Sequence, residues 1–245
     1  MQTRRVALVE PAASYVGPNL ARLLAHRGFD LVLGDPTPTL VDELKQIGSA
    51  VIAIDGAHPH EPETGARMVS AALDAFGAVH SAFFSSGRIA GGRFVNATVD
   101  DLTGAFNGNV VAPFHFVQAV LPTMLQQGDG QILVATSATA QRPTPKASLY
   151  AATRSAATTM LQSAALEFAD SGVQLNVVGT NFMNFTDFLR GNRAEDPEGL
   201  ARVESLVPMK RLGELDELAN FCAVFLDGSS RFQTGQFFSF AGGWS

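Results

Sequence analysis

The sequence predicts an α/β protein, a doubly wound parallel sheet with helices on both faces, in one domain over residues 1–245. Three observations predict it. Short runs that are apolar on both faces alternate with longer amphipathic stretches. The alternation continues along the whole chain, with no linker, internal repeat or low-complexity tract. The chain has 245 residues, 46% apolar and 16% charged, enough to bury a core without a metal or disulfide staple.

Residues 5–9 read as the first buried strand. Residues 18–27 read as a helix, with Gly28 where a C-terminal cap belongs. Residues 30–33 form a second strand, stopped by Gly34, Asp35 and Pro36. A helix over 39–47 closes at Gly48, and 50–54 is a third strand. Residues 64–76 are helical and 81–84 make a fourth strand. Helical patterns follow at about 99–106 and 110–126. A strand over 131–136 ends at Ser137, and 149–170 is a long Ala-rich helix. Another strand spans 173–178; the tail carries a helix at about 216–226 and a last strand at 236–240. Buried strands spaced by helices make the sheet Rossmann-like. Residues 181–197 read as an irregular insertion, placed after a strand's C-terminal end as a lid or pocket wall.

Composition narrows the function classes. Lys plus Arg is 17 and Asp plus Glu is 23, a formal charge of −6, and only three of the 17 are Lys. That balance argues against general nucleic-acid binding. Cys222 is the one cysteine, which excludes an internal disulfide and a multi-thiolate zinc site. Glu10 and Pro11 interrupt the first apolar stretch too early for a signal-peptide core, and no apolar run approaches the ~18 residues of a membrane span. The expected location is the cytoplasm. His58 and His60 flank Pro59 in an acidic loop that reads as solvated, and no metal is expected.

In such sheets the first strand usually runs into a glycine-rich turn that cradles a dinucleotide's phosphates at a helix N-terminus. Here the turn reads Glu10-Pro11-Ala12-Ala13-Ser14-Tyr15-Val16-Gly17. Only Gly17 stands at a plausible glycine position. Glu10 brings a carboxylate, Pro11 removes an N–H donor, and Tyr15 projects a ring. Either the nucleotide site is filled and reused or the turn binds nothing; normal NAD(P) binding is not expected, and no cofactor is assigned.

Ser137 ends a strand, Tyr150 begins the long helix, and Arg154 follows one turn later on the same face. A tyrosine hydroxyl ordinarily ionises near ~10, and a guanidinium close by stabilises a phenolate. Arginine supplies that field while staying protonated. A serine hydroxyl can hold a substrate oxygen in line with the tyrosine. The trio suits removing a proton from an alcohol or returning one to an alkoxide.

At these residues the chain resembles the short-chain dehydrogenase/reductase fold over almost its full length. Asn109, in NVVAPFHFVQAVLPTM, and the tail from Pro208 onward match that fold as well. Those enzymes carry lysine where Arg154 stands. Arginine there, with an aromatic in the first turn, is similar to the halohydrin dehalogenases, cofactor-free members of the fold that convert vicinal halohydrins to epoxides and open epoxides with small anions. Tyr15 and Gly17 match their turn motif, with Glu10 in place of its threonine. The resemblance implies a halide site after the sixth strand: Thr180, Asn181, Phe182 and Met183, closed by the ring of Tyr15, with N–H donors from Phe182 and Met183. It implies substrate-pocket positions at Ser86, Thr144, Ala147, Phe188 and Trp244. Trp244 could equally be tail packing or cover a neighbouring subunit's site. It also implies a homotetramer.

The expected mechanism follows from the resemblance: Tyr150 takes the substrate proton, Ser137 holds the same oxygen, and the alkoxide displaces halide in line. Two rivals stand beside it. One is a divergent NAD(P)-dependent short-chain reductase with Arg154 in lysine's role. The other is a non-catalytic small-ligand-binding member of the fold.

Overall fold

Val6–Glu10 (β1) is buried at every position, because its side chains alternate between two apolar layers. In the computed structural model, which describes residues 4–245, it sits mid-sheet. The other strands are Asp30–Gly34 (β2), Val51–Ile54 (β3), Ser81–Ser85 (β4), Gly130–Ser137 (β5), Val173–Thr180 (β6) and Phe237–Phe240 (β7). Among the described residues they form one sheet in the order β3-β2-β1-β4-β5-β6-β7, every neighbouring pair parallel. All C-terminal ends therefore share one edge, and the order reverses between β1 and β4.

Gly17–His26 (α1), Pro38–Ile47 (α2) and Leu215–Ala223 (α9) cover one face, where Leu20, Leu24, Leu40, Leu44 and Leu218 are buried against Val9, Leu31 and Leu33. Thr64–Phe76 (α3), Ala112–Gln127 (α5) and Ser148–Glu167 (α6) cover the other, with Met68, Phe116, Val120 and Leu161 against Leu8, Phe84 and Ile132. Burying each such side chain contributes roughly 1.5–3 kcal/mol. Gly28 and Gly48 follow their helices with φ of 84° and 99°, the left-handed backbone a C-terminal cap needs. Val99–Phe106 (α4) starts on a reciprocal cap, Thr98 and Asp101 each bonding the other's backbone N–H.

Several expectations need correction. The 181–197 segment is not wholly irregular: Thr186–Gly191 (α7) is helical, and Pro197–Ser205 (α8) follows, starting on an Asp196 cap. A π-helical turn over Asn107–Val111 separates α4 from α5. The long helix stops at Glu167 and the tail helix at Ala223. The third strand, expected to be buried, is an edge strand with Ala53 exposed. No helix among the described residues is long and apolar enough to cross a membrane.

Candidate functional site

Ser137 and Thr180 end β5 and β6 and pair in register on the C-terminal edge. Ser137 is buried, and its Oγ accepts from Thr139 N (3.2 Å) and Thr139 Oγ1 (2.9 Å) while donating to Thr180 O at 3.4 Å. Thr139 is a partner the sequence reading missed, since a β-branched residue two positions on carries no pattern of its own.

Tyr150 opens α6 and is half-buried. Arg154 lies one turn deeper, 4% exposed, with Cζ 5.2 Å from the centre of the Tyr150 ring. Its Nη2 donates to Ser86 O. A side chain at Gly87 would overlap that same nitrogen, so glycine at the end of β4 is what lets arginine lie there. Arg154 Nε is buried without a partner, and among the described residues no carboxylate pairs with this guanidinium. Ser86 donates to Gly108 O at 3.0 Å. Asn109, on the π-helical turn, braces the neighbourhood: its Oδ1 accepts from Arg88 N, and its Nδ2 donates to Arg88 O and Thr153 Oγ1.

The turn after β1 is packed shut. Glu10 is fully buried, both carboxyl oxygens lack partners, and its side chain fills the space that Gly34 leaves free. Burial, with the charge of Asp35 adding, pushes its carboxyl up to about 8. Tyr15 holds φ of 52°, packs on Phe185 with ring centres 4.9 Å apart and planes tilted by 58°, and donates to Thr180 Oγ1 at 2.8 Å. Burial raises its hydroxyl well above the ordinary tyrosine range, against the lowering pull of Thr180 and Arg154. The one remaining glycine, Gly17, is spent on close packing against the Pro11 carbonyl. A carboxyl, a ring and a proline at this turn do not fit a dinucleotide's phosphates.

Beyond β6, Phe182 has φ of 56°, and its N–H, expected as an anion donor, already bonds Asn181 Oδ1 at 2.9 Å. Asn181 N reaches Phe240 O at 3.4 Å, and Met183 is buried. Thr144 and Ala147 are half-buried in the loop before α6, bonded to one another through Ala147 N and Thr144 O. Trp244 packs in its own chain with Ala138 and Phe182, and Phe188 borders that cluster. The structure thus brings together Ser137, Thr180 and Tyr15, and separately Tyr150, Arg154 and Ser86. His58 and His60 are exposed, and among the described residues no group of His, Cys, Asp or Glu could hold a metal. Cys222 is buried, as a small apolar residue would be.

A family model described as enoyl-(acyl carrier protein) reductase matches residues 12–245. The 2,5-dichloro-2,5-cyclohexadiene-1,4-diol dehydrogenase LinX of Sphingobium indicum is 28% identical over 98% of this chain and 96% of its own. The cyclohexanol dehydrogenase of an Acinetobacter strain is 29% identical over 94% of this chain and 91% of its own. A crystal structure of NAD+-bound xylitol dehydrogenase superposes with a TM-score of 0.88 at 23% identity, covering 99% of this chain and 100% of the other, which shows the shared fold.

These relatives overturn the expectation of a halohydrin dehalogenase, and with it the lyase and cofactor-independent descriptions: they are named as dehydrogenases. The physical reason is plain. A serine and a tyrosine at one substrate oxygen serve any chemistry that moves a proton there, so that pair does not distinguish halide displacement from redox.

Proposed function

Because the chain belongs to the short-chain dehydrogenase/reductase superfamily, within its enoyl-(acyl carrier protein) reductase family, we propose that it is an oxidoreductase interconverting a hydroxyl and a carbonyl on a small, apolar molecule, with a nicotinamide dinucleotide as the co-substrate that would take or give the hydride. The observation that carries this reading is the placement of Ser137 and Tyr150 at the sheet's C-terminal edge, with Arg154 buried beneath the tyrosine ring. Ser137 holds the substrate oxygen. Tyr150 returns a proton to that oxygen or takes one from it. Arg154, tied to the Ser86 carbonyl, fixes the ring's position and supplies positive charge below it. Cyclohexanol dehydrogenase and LinX, by their names, act on ring alcohols, which favours an alicyclic substrate. The turn after β1 does not match the phosphates of a nicotinamide partner, so the proposal rests on the oxygen end of the site.

The test is turnover of ring alcohols and ketones with NAD+, NADP+, NADH and NADPH, beside a Tyr150→Phe control. Nucleotide-dependent turnover that vanishes in the control supports the reading. Its absence across the panel overturns it.

A second reading has its own support. Glu10 and Tyr15 close the turn and Thr139 engages the Ser137 hydroxyl, which suits a non-catalytic protein that binds a small ligand. Saturable ligand binding with no turnover of any panel member would favour it. A homotetramer is part of the main proposal, with the exposed apolar side chains Val99, Leu102, Phe106 and Phe114 covered between copies. A single-chain mass by light scattering would remove it.

A further inference from the structure

Beyond the ends of β6 and β7 the fold holds a cavity of about 280 Å³, walled also by side chains between residues 207 and 217 and by the tail. Ser137, Tyr150, Arg154 and Tyr15 do not border it, so it is a space separate from the candidate site. Phe182, Met183, Val207, Leu212 and Phe240 give it an apolar lining. The tail passes close by at Gly242, with φ of 59°, where a side chain would meet Val207 Cγ1 at 2.6 Å.

The polar groups of the cavity decide what it could hold. Arg211 and Glu217, both on its wall, form a two-pronged ion pair at 2.7 and 2.6 Å. Arg211 also donates to Leu212 O, and Glu217 Oε2 also accepts from Glu214 N. The hydrogen bond from Arg211, and then that from Glu214 N, hold the Glu217 carboxyl well below the ordinary carboxylate range. The pair is therefore ionised, and its two charges match each other. An entering anion would face a carboxylate, with the guanidinium beside it already spent. The hydroxyls of Ser239 and Ser245 bond each other. Asn181 differs: its Oδ1 accepts from Phe182 N at 2.9 Å, while its Nδ2 has no acceptor among the described residues. Asn181 is left with a donor to offer. The complement is an uncharged molecule with an apolar body and one acceptor oxygen. A cavity of about 150 Å³ holds benzene, so this one suits roughly twice as many heavy atoms, the size of a fused bicycle.

We propose that this cavity is a second small-molecule site, taking an uncharged bicyclic ketone whose rings lie on the apolar lining and whose oxygen accepts from Asn181 Nδ2. The site goes beyond the oxidoreductase reading and does not depend on it, since it shares no residue with Ser137, Tyr150 and Arg154. The chain itself joins the two places: Asn181 follows Thr180, whose carbonyl accepts from Ser137. A bound ketone therefore bears on the strand end that holds the serine.

Trp244, the chain's one tryptophan, does not border the cavity, but it follows Gly243, which does, and its ring centre lies 5.5 Å from that of Phe182. Arg142 fixes it, with Cζ 5.0 Å from the ring centre and Nη1 donating to the Trp244 carbonyl. Its emission reports the cavity without turnover or nucleotide, and equilibrium dialysis checks the same binding directly. The experiment titrates 2-decalone, and decahydronaphthalene-2-carboxylate as its charged counterpart, into the wild type and three variants. The wild type should saturate with the ketone and bind the carboxylate at least about tenfold more weakly. Asn181→Asp keeps the acceptor for Phe182 N and removes the donor, so it should weaken ketone binding at least about tenfold. Val207→Phe, with its folding checked by urea, should abolish binding by filling the space. Tyr150→Phe should bind the ketone within about twofold of the wild type. No saturable ketone binding by either method overturns the proposal. So does binding that is lost in Tyr150→Phe and unchanged in Asn181→Asp, which would put the ketone at the catalytic candidates instead.

Discussion

The hydroxyl of Tyr15 donates to the hydroxyl of Thr180 at 2.8 Å, linking the turn after β1 to the end of β6 across the sheet's C-terminal edge. Thr180 also lends its carbonyl to Ser137, so the bond connects the closed turn to the catalytic candidates. Removing one partner differs from removing the other. Tyr15→Phe deletes a donor and should lower stability by about 1 kcal/mol. Thr180→Val leaves the tyrosine hydroxyl unpaired and should cost more, about 1–3 kcal/mol. Urea unfolding of both variants checks the order; the reverse order would show that the hydroxyl finds water in the variant.

Glu10 makes stability depend on pH. Its folded carboxyl titrates at about 8, against 4.5 ordinarily, so the folded protein keeps a proton that the unfolded chain releases. Its contribution is fully present below the unfolded value and is lost as pH rises through the folded one. Relative to Glu10→Gln, the wild type should lose on the order of 3 kcal/mol between mildly acidic and mildly alkaline pH. Parallel urea curves for the two proteins across that window would contradict the burial of an ionisable group there.

Gly87→Ala should impair the site from outside it. The new methyl overlaps Arg154 Nη2, so the guanidinium must leave the Ser86 carbonyl or the strand end must shift, at about 1–3 kcal/mol. Turnover, or ligand affinity if the protein is not an enzyme, should fall at least about tenfold. Full activity in Gly87→Ala would mean that the Arg154 position does not matter.

His80 acts in the opposite sense to Glu10, at the other edge of the sheet. Its Nδ1 accepts from Val6 N at 3.0 Å, which requires the neutral ring. Burial, and then the charge of Arg5, hold its pKa below the ordinary value. The folded state disfavours the proton, so the stabilisation is present above the unfolded value of about 6.5 and is lost as pH falls. NMR titration should find the His80 ring protonating below the ordinary histidine value of about 6.5. Protonation at the ordinary value would remove His80 from this role.

Much of the fold was legible because the periodicities are strong. The helices Thr64–Phe76 and Val99–Phe106 fall where the pattern of apolar residues placed them. The short helix Thr186–Gly191 was not legible, because Phe185 precedes it without a side-chain cap and six residues are too few for a period to show. Of the candidate site, the Tyr150–Arg154 spacing was readable as one helical turn. The burial of Glu10 was not: a carboxylate after an apolar run reads as a surface turn residue, and only the paired strand shows that Gly34 leaves room for it. The fastening of Trp244 by Arg142 joins residues far apart in sequence, and no local pattern marks such a contact.

The sheet order also bears on how the molecule comes together. Strands β3-β2-β1 and β4-β5-β6-β7 are each built from consecutive segments, but Ala7 must find Ser81 to join the two sets. Closing so long a loop is slow compared with forming local contacts. The join between β1 and β4 is thus expected to be a late step in folding. Tyr15 belongs to one side of that join and Thr180 to the other. A molecule seated between Tyr15 and Tyr150 would grip both sides and act as a clasp, slowing the rate at which the two halves part.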